Sequence, residues 1–263
     1  MSLRLVESRT HVVAVEKGRV TGTIGVLAQP GRVGLVFPPE LDRASPAVPG
    51  ALIDAAIRRL EQAGAAFAQL TLPLEDSPQA ELFLQHGFSL LTDAAVLQRS
   101  LNSPLPPSAR SLQSIRCDPV DDADTLGDLI RRINQGTLDC PELDVLRTPA
   151  DLLAAHRAHS MNGRARWWRF EDDGNDVGIV LGTTAEDDDA WEILFFGVVP
   201  EQRGHGFGRI LLTRFLENAT GETGLVRAGM DVRNAFVESV YEDRGFVETG
   251  RFRVWVHPLA APA

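Results

Sequence analysis

Two places in the chain carry the same four-residue signature at the same spacing: Asp76, Phe83, Gly87 and Phe88 in the first half, and Asn234, Tyr241, Gly245 and Phe246 in the second. Each signature sits in the same order of elements. In the first half, "HVVAVEKGRVTGTIGVLAQPGRVGLVFPP" alternates short β-branched runs with glycine turns, as a strand meander does. "GALIDAAIRRLEQAGA" follows as an amphipathic helix closed by Gly64. A strand "AFAQLTLPL", a short helix "SPQAELFLQHG" and a closing strand pair around "FSLLTDAAVLQRSL" complete the half.

The second half opens with two helices, "DDADTLGDLIRRINQGT" and "TPADLLAAHRAHS", which have acidic or Thr-Pro starts. Three strands follow, "ARWWRFEDD", "DVGIVLGTT" and "AWEILFFGVV", and then a helix "FGRILLTRFLENAT", a strand "GLVRAGMDV", a helix "NAFVESVYEDRG" and a last strand "FVETGRFRVWVHP". The shared order predicts a tandem duplication of one α/β unit. Residues 103–114, "SPLPPSARSLQS", concentrate Pro and Ser as linkers do. The expected organisation is a domain at 1–105, a linker at 106–113 and a second domain at 114–263, which a length of 263 residues accommodates.

Charge and cysteine usage remove several function classes. A formal net charge of −10 argues against nucleic acid or an acidic membrane as partner, because such binding rests on clustered Lys and Arg. The two cysteines, Cys117 and Cys140, lack metal-ligand spacing and read as reduced thiols, so no metal is expected. No apolar run approaches the roughly 20 residues that span a bilayer, and the first residues lack a signal-peptide core; a cytoplasmic location is expected.

The strongest chemical feature is "PEQRGHGFGR", Pro200 to Arg209, running into the apolar "ILLTRFL". A Rossmann turn needs G-x-G-x-x-G after an early strand, and here the pattern is G-x-G-x-G late in a meander. A Walker loop ends in Gly-Lys-Ser/Thr, whereas Gly208 is followed by Arg209 and Ile210. What remains is a plain glycine turn, or a loop whose Cβ-free residues let backbone N–H groups approach an anion at a helix N-terminus.

The run "FFGVVPEQRGHGFGRILL" resembles the acyl-CoA-binding motif of the GNAT acetyltransferase superfamily, with Arg203, Gly206 and Gly208 at its fixed positions. "DVRNAFVESVYEDRGF" is similar to the family's second motif, in which Asn234 precedes Tyr241 by two helical turns. The resemblance spans about 167–257 and implies two GNAT-like domains. Each is expected to be a mixed, mostly antiparallel sheet flanked by helices, with a splayed central strand pair in the active one.

The resemblance also implies acetyl-CoA as cofactor and acetyl transfer to the primary amine of a small molecule or peptide. Backbone groups near Gly197, Val198 and Val199 would bind the pantetheine as a pseudo-strand. The loop amides of Arg203, Gly204, His205, Gly206, Phe207, Gly208 and Arg209 would take the pyrophosphate, with Arg209 adding an ion pair. Asn234 would position the cofactor or the helix start. A carboxylate on the strand before the loop implies Glu192 as the base that deprotonates the amine, directly or through water; strand alternation would set it on the face of Val198. The alternative for Glu192 is a pairing role at the strand edge. Tyr241, the single tyrosine, occupies the family position for a proton donor to the leaving thiolate, or packs over the cofactor. The oxyanion would be held by the Val198 amide.

Other residues read as structural. His156 and His159 lie about one helical turn apart with no acid or cysteine cluster near them in sequence, which suggests a solvated helix face. Trp167 and Trp168 are expected on opposite faces of one strand. The first half keeps Pro39-Glu40 but has no Arg-x-x-Gly-x-Gly, with Gly31 or its neighbours where Glu192 would be and Phe83 at the tyrosine position. It is therefore expected to be catalytically silent, and to cover a sheet edge, shape the acceptor pocket or form a homodimer contact. The competing class is a non-catalytic acyl-CoA-binding or regulatory module.

Overall fold

Alternation of buried and exposed residues in "HVVAVE" and of β-branched and small residues in "RVTGTIGVLAQ" produces the first strands of a computed structural model that describes residues 3–75, 78–106, 115–160, 165–184 and 190–260. Asp76, residues 107–114 of the linker and Glu186 to Asp189 lie outside the described residues. Along the chain come strands β1 (Leu3–Glu7), β2 (His11–Glu16), β3 (Arg19–Gln29), β4 (Val33–Val36) and β5 (Glu40–Leu41), helix α1 (Val48–Gln62), strand β6 (Phe67–Pro73), helix α2 (Pro78–Gln85) and strand β7 (Ser89–Ser100). Then follow β8 (Ile115–Pro119), helices α3 (Ala123–Ile133) and α4 (Pro149–His159), and strands β9 (Ala165–Asp172), β10 (Asn175–Thr184) and β11 (Ala190–Val198). The chain closes with helix α5 (Phe207–Ala219), strand β12 (Leu225–Asp231), helix α6 (Ala235–Asp243) and strand β13 (Val247–Pro258).

The chain divides into two units, and their membership differs from the expected boundary near residue 105. The first holds Met1–Asp93, Val145–Arg147 and Phe252–Ala263; the second holds Ala94–Asp144 and Thr148–Arg251. Each half gives up its last strand. Residues Phe252 to Pro258 of β13 pair antiparallel with β6, and Ala94 to Ser100 of β7 pair antiparallel with β12. The expected strand pair around "FSLLTDAAVLQRSL" is one twelve-residue strand, β7.

The first unit orders its strands β1-β2-β3-β4-β6-β13, with β5 on β3. The pairings are antiparallel except β4 with β6, which runs parallel from Val33↔Phe67 to Leu35↔Gln69. Its core joins Val12, Ile24, Val26 and Val36 of the sheet to Leu52, Ile53 and Leu60 of α1 and to Phe83 and Phe88.

The second unit orders its strands β7-β12-β11-β10-β9-β8, mostly antiparallel, and helices cover both faces. On one face Val180, Trp191, Ile193 and Val226 pack against Leu211, Leu212, Phe215 and Leu216 of α5 and against Tyr241 of α6. On the other, Ile179 and Leu181 pack against Leu126, Leu129, Ile130 and Ile133 of α3 and Leu152 and Leu153 of α4. Burial on both faces is why β10 reads as a nearly continuous apolar run. Trp167 joins the α3/α4 core, while Trp168 stacks on Trp191 on the α5 side, as alternation demands.

Candidate active site

The two central strands of the second unit part company. β11 and β12 run parallel and pair only from Ala190↔Leu225 to Ile193↔Ala228; β11 continues to Val198 and β12 to Asp231 beyond the ladder. The backbone edge of β11 that faces this gap can be read from its neighbours. Val199 N–H donates to Val177 O at 3.0 Å, on the β10 side, so strand alternation turns the N–H and C=O of Val198 toward the gap. Of the three positions expected to bind pantetheine, Val198 presents its amide there, while the Val199 amide is already spent.

Gly197 has another reason to be glycine. A Cβ on it would lie 2.2 Å from Ile133 Cγ2, so the close seat of α3 on the strand requires its absence.

Past Val199 the chain makes a short 3₁₀ turn, Pro200–Gln202, in which the Arg203 amide donates to Pro200 O at 3.2 Å. The expected row of loop amides thus begins at Gly204 and not at Arg203. Gly204 and Gly206 hold φ of 78° and 81°, the left-handed region that L side chains rarely adopt, and nothing lies within 4 Å of where their Cβ atoms would be. Gly208 is already helical, with Phe196 Cζ at 3.6 Å from its Cβ position. His205 is exposed and Phe207 is buried in the core.

Helix α5, thirteen residues long, starts at Phe207 with no side-chain cap and no acidic residue in its first turn. By contrast α3, α4 and α6 are capped by Asp122, Thr148 and Asn234. The first-turn N–H groups of α5 lack intrahelical acceptors, and the helix dipole places partial positive charge there. A helix end of this kind is one that attracts anions.

Two arginines expected at the cofactor are engaged elsewhere. Arg203 donates to the carbonyls of Val198 (3.2 Å), Gln135 (2.9 Å), Gly136 (3.3 Å) and Ile133 (2.5 Å), and so satisfies the last carbonyl of α3 and two in the turn that follows it. Arg209 Nε donates to Asp243 Oδ2 at 2.5 Å, tying α5 to α6. Asn234 Oδ1 accepts from Val237 N at 3.3 Å; of its two expected uses, the helix start is visible.

Tyr241 is buried, with its ring edge-on to Phe246 at 4.9 Å and to Phe196 at 6.1 Å. Burial, and secondarily the Asp139 carboxylate, push its phenol well above the ordinary tyrosine range, so the hydroxyl keeps its proton. A cavity of about 260 Å³ beside it is walled by Leu97, Met230, Val232 and Phe246.

Glu192 requires a correction. Leu181 pairs with Phe195 but Gly182 pairs with Ile193, so Leu194 is an extra, bulged residue in β11. The bulge reverses the alternation: Glu192 pairs with Thr183 and Val198 with Gly178, on opposite faces of the sheet. Glu192 thus faces α3 and α4, while Tyr241 packs on the α5 face.

The expected solvated face of α4 is also revised. His159 Nε2 lies 3.1 Å from Glu192 Oε2, both side chains being about half exposed. This hydrogen bond, opposed by partial burial and aided by the carboxylate charge, raises the imidazole above its ordinary value. His156 sets its ring 6.1 Å from Phe195. Thirty-three residues separate His159 from Glu192 in sequence, so spacing alone carried no sign of the pair.

At the end of β12, the wholly buried Asp231 carboxylate accepts from Cys140 N (3.2 Å) and from Arg233 Nη2 (2.7 Å), and Arg233 continues to Glu142 at 2.7 Å. Asp139, Cys140 and Asp231 stand close enough to share a cation. Burial first, then the Asp139 and Asp231 carboxylates, push the Cys140 thiol far up, and Arg233 already neutralises Asp231.

In the first unit, the parallel ladder sets Leu35 beside Gln69 where the second unit sets Glu192 beside Arg227. Leu35, rather than Gly31, is the counterpart of Glu192. Phe83 is fully buried, and the loop before α1 is held by Glu16, whose carboxylate accepts from Ser45 N at 3.1 Å.

A sheet opened between parallel strands, followed by a glycine loop and an uncapped helix, defines the class. Residues 163–248 match the family of the acetyltransferase (GNAT) domain. The match is confined to that stretch, while the fold of the whole chain is that of GNAT structures.

Among solved structures, it is similar to a GCN5-related N-acetyltransferase from Sphaerobacter thermophilus, with a TM-score of 0.62 and 16% identity over 97% of this chain and 84% of that one. A tandem GNAT protein from the clavulanic acid biosynthesis pathway gives 0.60 and 16% over 96% and 83%. A GCN5-related N-acetyltransferase from Kribbella flavida gives 0.55 and 14% over 98% and 91%. No curated protein matches the sequence. No helix among the described residues is long and apolar enough to cross a membrane.

Proposed function

We propose that the chain is an acetyl-CoA-dependent N-acetyltransferase acting on the primary amine of a small molecule or peptide by direct transfer in a ternary complex. The carrying observation is the gap that opens after Ile193 and Ala228 and leads along β11 to the uncapped, glycine-bounded N-terminus of α5. The gap offers a pantetheine a place beside β11, where the Val198 C=O already accepts from Arg203 and its N–H turns inward, and the Gly204 to Gly208 loop offers its backbone to the pyrophosphate. When bound, acetyl-CoA supplies an acyl group activated as a thioester.

The remaining chemistry belongs to the chain. The Val198 amide is aimed to hold developing negative charge on the acyl oxygen. Tyr241, kept protonated by burial, donates a hydrogen bond toward the departing sulfur. Glu192 anchors the path that takes the proton from the amine. The first unit, with Leu35 and Phe83 at the two positions, is read as catalytically silent.

The test is calorimetry with acetyl-CoA followed by transfer assays across a panel of primary amines. Binding with turnover supports the enzyme. Binding without turnover on any amine identifies a non-catalytic acyl-CoA module instead.

A further inference from the structure

Glu192 is expected to act as the base itself, but its Oε2 already lies 3.1 Å from His159 Nε2. An ionised carboxylate can only accept, so Nε2 must carry the ring proton, and the lone pair of the neutral imidazole is thereby fixed on Nδ1. Among the described residues Nδ1 has no hydrogen-bond partner, and the side chain is 57% exposed on the α3/α4 side of the sheet. In hydrolytic triads a buried acid orients a histidine base by the same logic, with the roles of the two ring nitrogens exchanged.

The geometry points to His159 as a further catalytic residue: its Nδ1 takes the proton of the acceptor amine, and Glu192 is the positioning residue that fixes the tautomer and holds the imidazolium. The inference rests on the acetyltransferase reading. As the nitrogen of the amine bonds to the acyl carbon, its proton moves to Nδ1, and the carbon–sulfur electron pair leaves on sulfur. The raised imidazole described above is the stronger base once it has lost its proton.

Glu192 is the charged group that acts on the ring; the others stand near it in ladder or chain. Glu192 lies on β11, Arg227 stands beside it in the parallel ladder on β12, and His156 and Arg157 lie on the same helix, Arg157 being bonded to Asp121. Cross-strand from Glu192, β10 presents Thr183, which does not titrate.

The experiment pairs two readouts on the full chain. NMR titration of His159 without cofactor, in wild type and Glu192→Gln, reads the pair itself; the wild-type value is expected above the ordinary histidine value and to fall in the variant. Initial rates with acetyl-CoA and the amine panel then give pH profiles for wild type and His159→Gln.

The expected wild-type kcat/KM rises with pH through one ionisation at the NMR value, and His159→Gln loses that ionisation and about 100-fold in kcat while binding acetyl-CoA as before. Equal rates and an unchanged profile in His159→Gln, with wild-type turnover intact, overturn the role of His159 while leaving the acetyltransferase reading standing. No binding of acetyl-CoA to wild type overturns both. An unshifted His159 titration in Glu192→Gln overturns the pairing whatever the kinetics show.

Discussion

The guanidinium of Arg203 reaches across to the last turn of α3 and donates to Ile133 O at 2.5 Å, while the residue's own backbone sits at the entrance to the glycine loop. Arg203, expected at the pyrophosphate through its amide, uses its side chain to hold the end of a helix. Arg203→Ala should therefore lower stability by about 1–2 kcal/mol, less than four bonds to a charged donor could give because the side chain is largely exposed. Arg203→Lys should not restore it, since an ammonium cannot span four carbonyls. Urea midpoints check both, and an unchanged midpoint in the alanine variant would contradict the capping role.

Gly197→Ala should be more damaging than a single methyl suggests. The added carbon meets Ile133 Cγ2 at 2.2 Å, so α3 or β11 must shift, at a cost of about 1–3 kcal/mol. Adding Ile133→Val, which removes the Cδ1 carbon but keeps Cγ2, should not rescue it, whereas Ile133→Ala should recover part of the loss. Thermal unfolding of the single and double variants tests this coupling.

Tyr241→Phe should lower kcat about 100-fold while keeping acetyl-CoA affinity within about twofold, because the ring still packs against Phe196 and Phe246 and only the proton donor is lost. Steady-state kinetics with a calorimetric Kd separates the two quantities; undiminished turnover would reduce Tyr241 to a packed aromatic.

The Glu192–His159 pair predicts a pH dependence of stability with a definite sign. The folded imidazole titrates above its unfolded value of about 6.5, so its contribution is complete below that pH and disappears as pH rises through the folded value. Both partners are about half exposed, which holds the contribution to less than about 1 kcal/mol. Urea unfolding of wild type and Glu192→Gln should differ more at pH 5.5 than at pH 8; an equal difference at both would contradict the coupling.

The fold was legible wherever one residue's neighbours in sequence are also its neighbours in space. The α5 glycine loop, the Asn234 cap and the split of Trp167 from Trp168 follow from local spacing. The strand exchange was not legible, because a strand's partner is set by long-range pairing and "FSLLTDAAVLQRSL" carries no mark of which sheet it completes.

Simple alternation gives Glu192 the wrong face because a single bulged residue, Leu194, inverts every later position, and an apolar "ILFF" run hides it. Spacing suggests a solvated His159 because its carboxylate partner arrives from a strand that the sequence does not connect to α4. The role of Arg203 was obscured in the same way, since its acceptors lie near residue 135.

The central claim is that the open strand pair and the glycine loop of the second unit hold acetyl-CoA. Calorimetric titration of acetyl-CoA into wild type and Gly206→Val measures it directly. Gly206 lies at φ 81°, and its substituent would project where the anion is proposed to sit. The account predicts one site per chain in wild type and at least a tenfold weaker Kd in the variant, with the variant's fold retained by circular dichroism. No heat of binding in wild type, or equal affinity in a folded Gly206→Val, would contradict it.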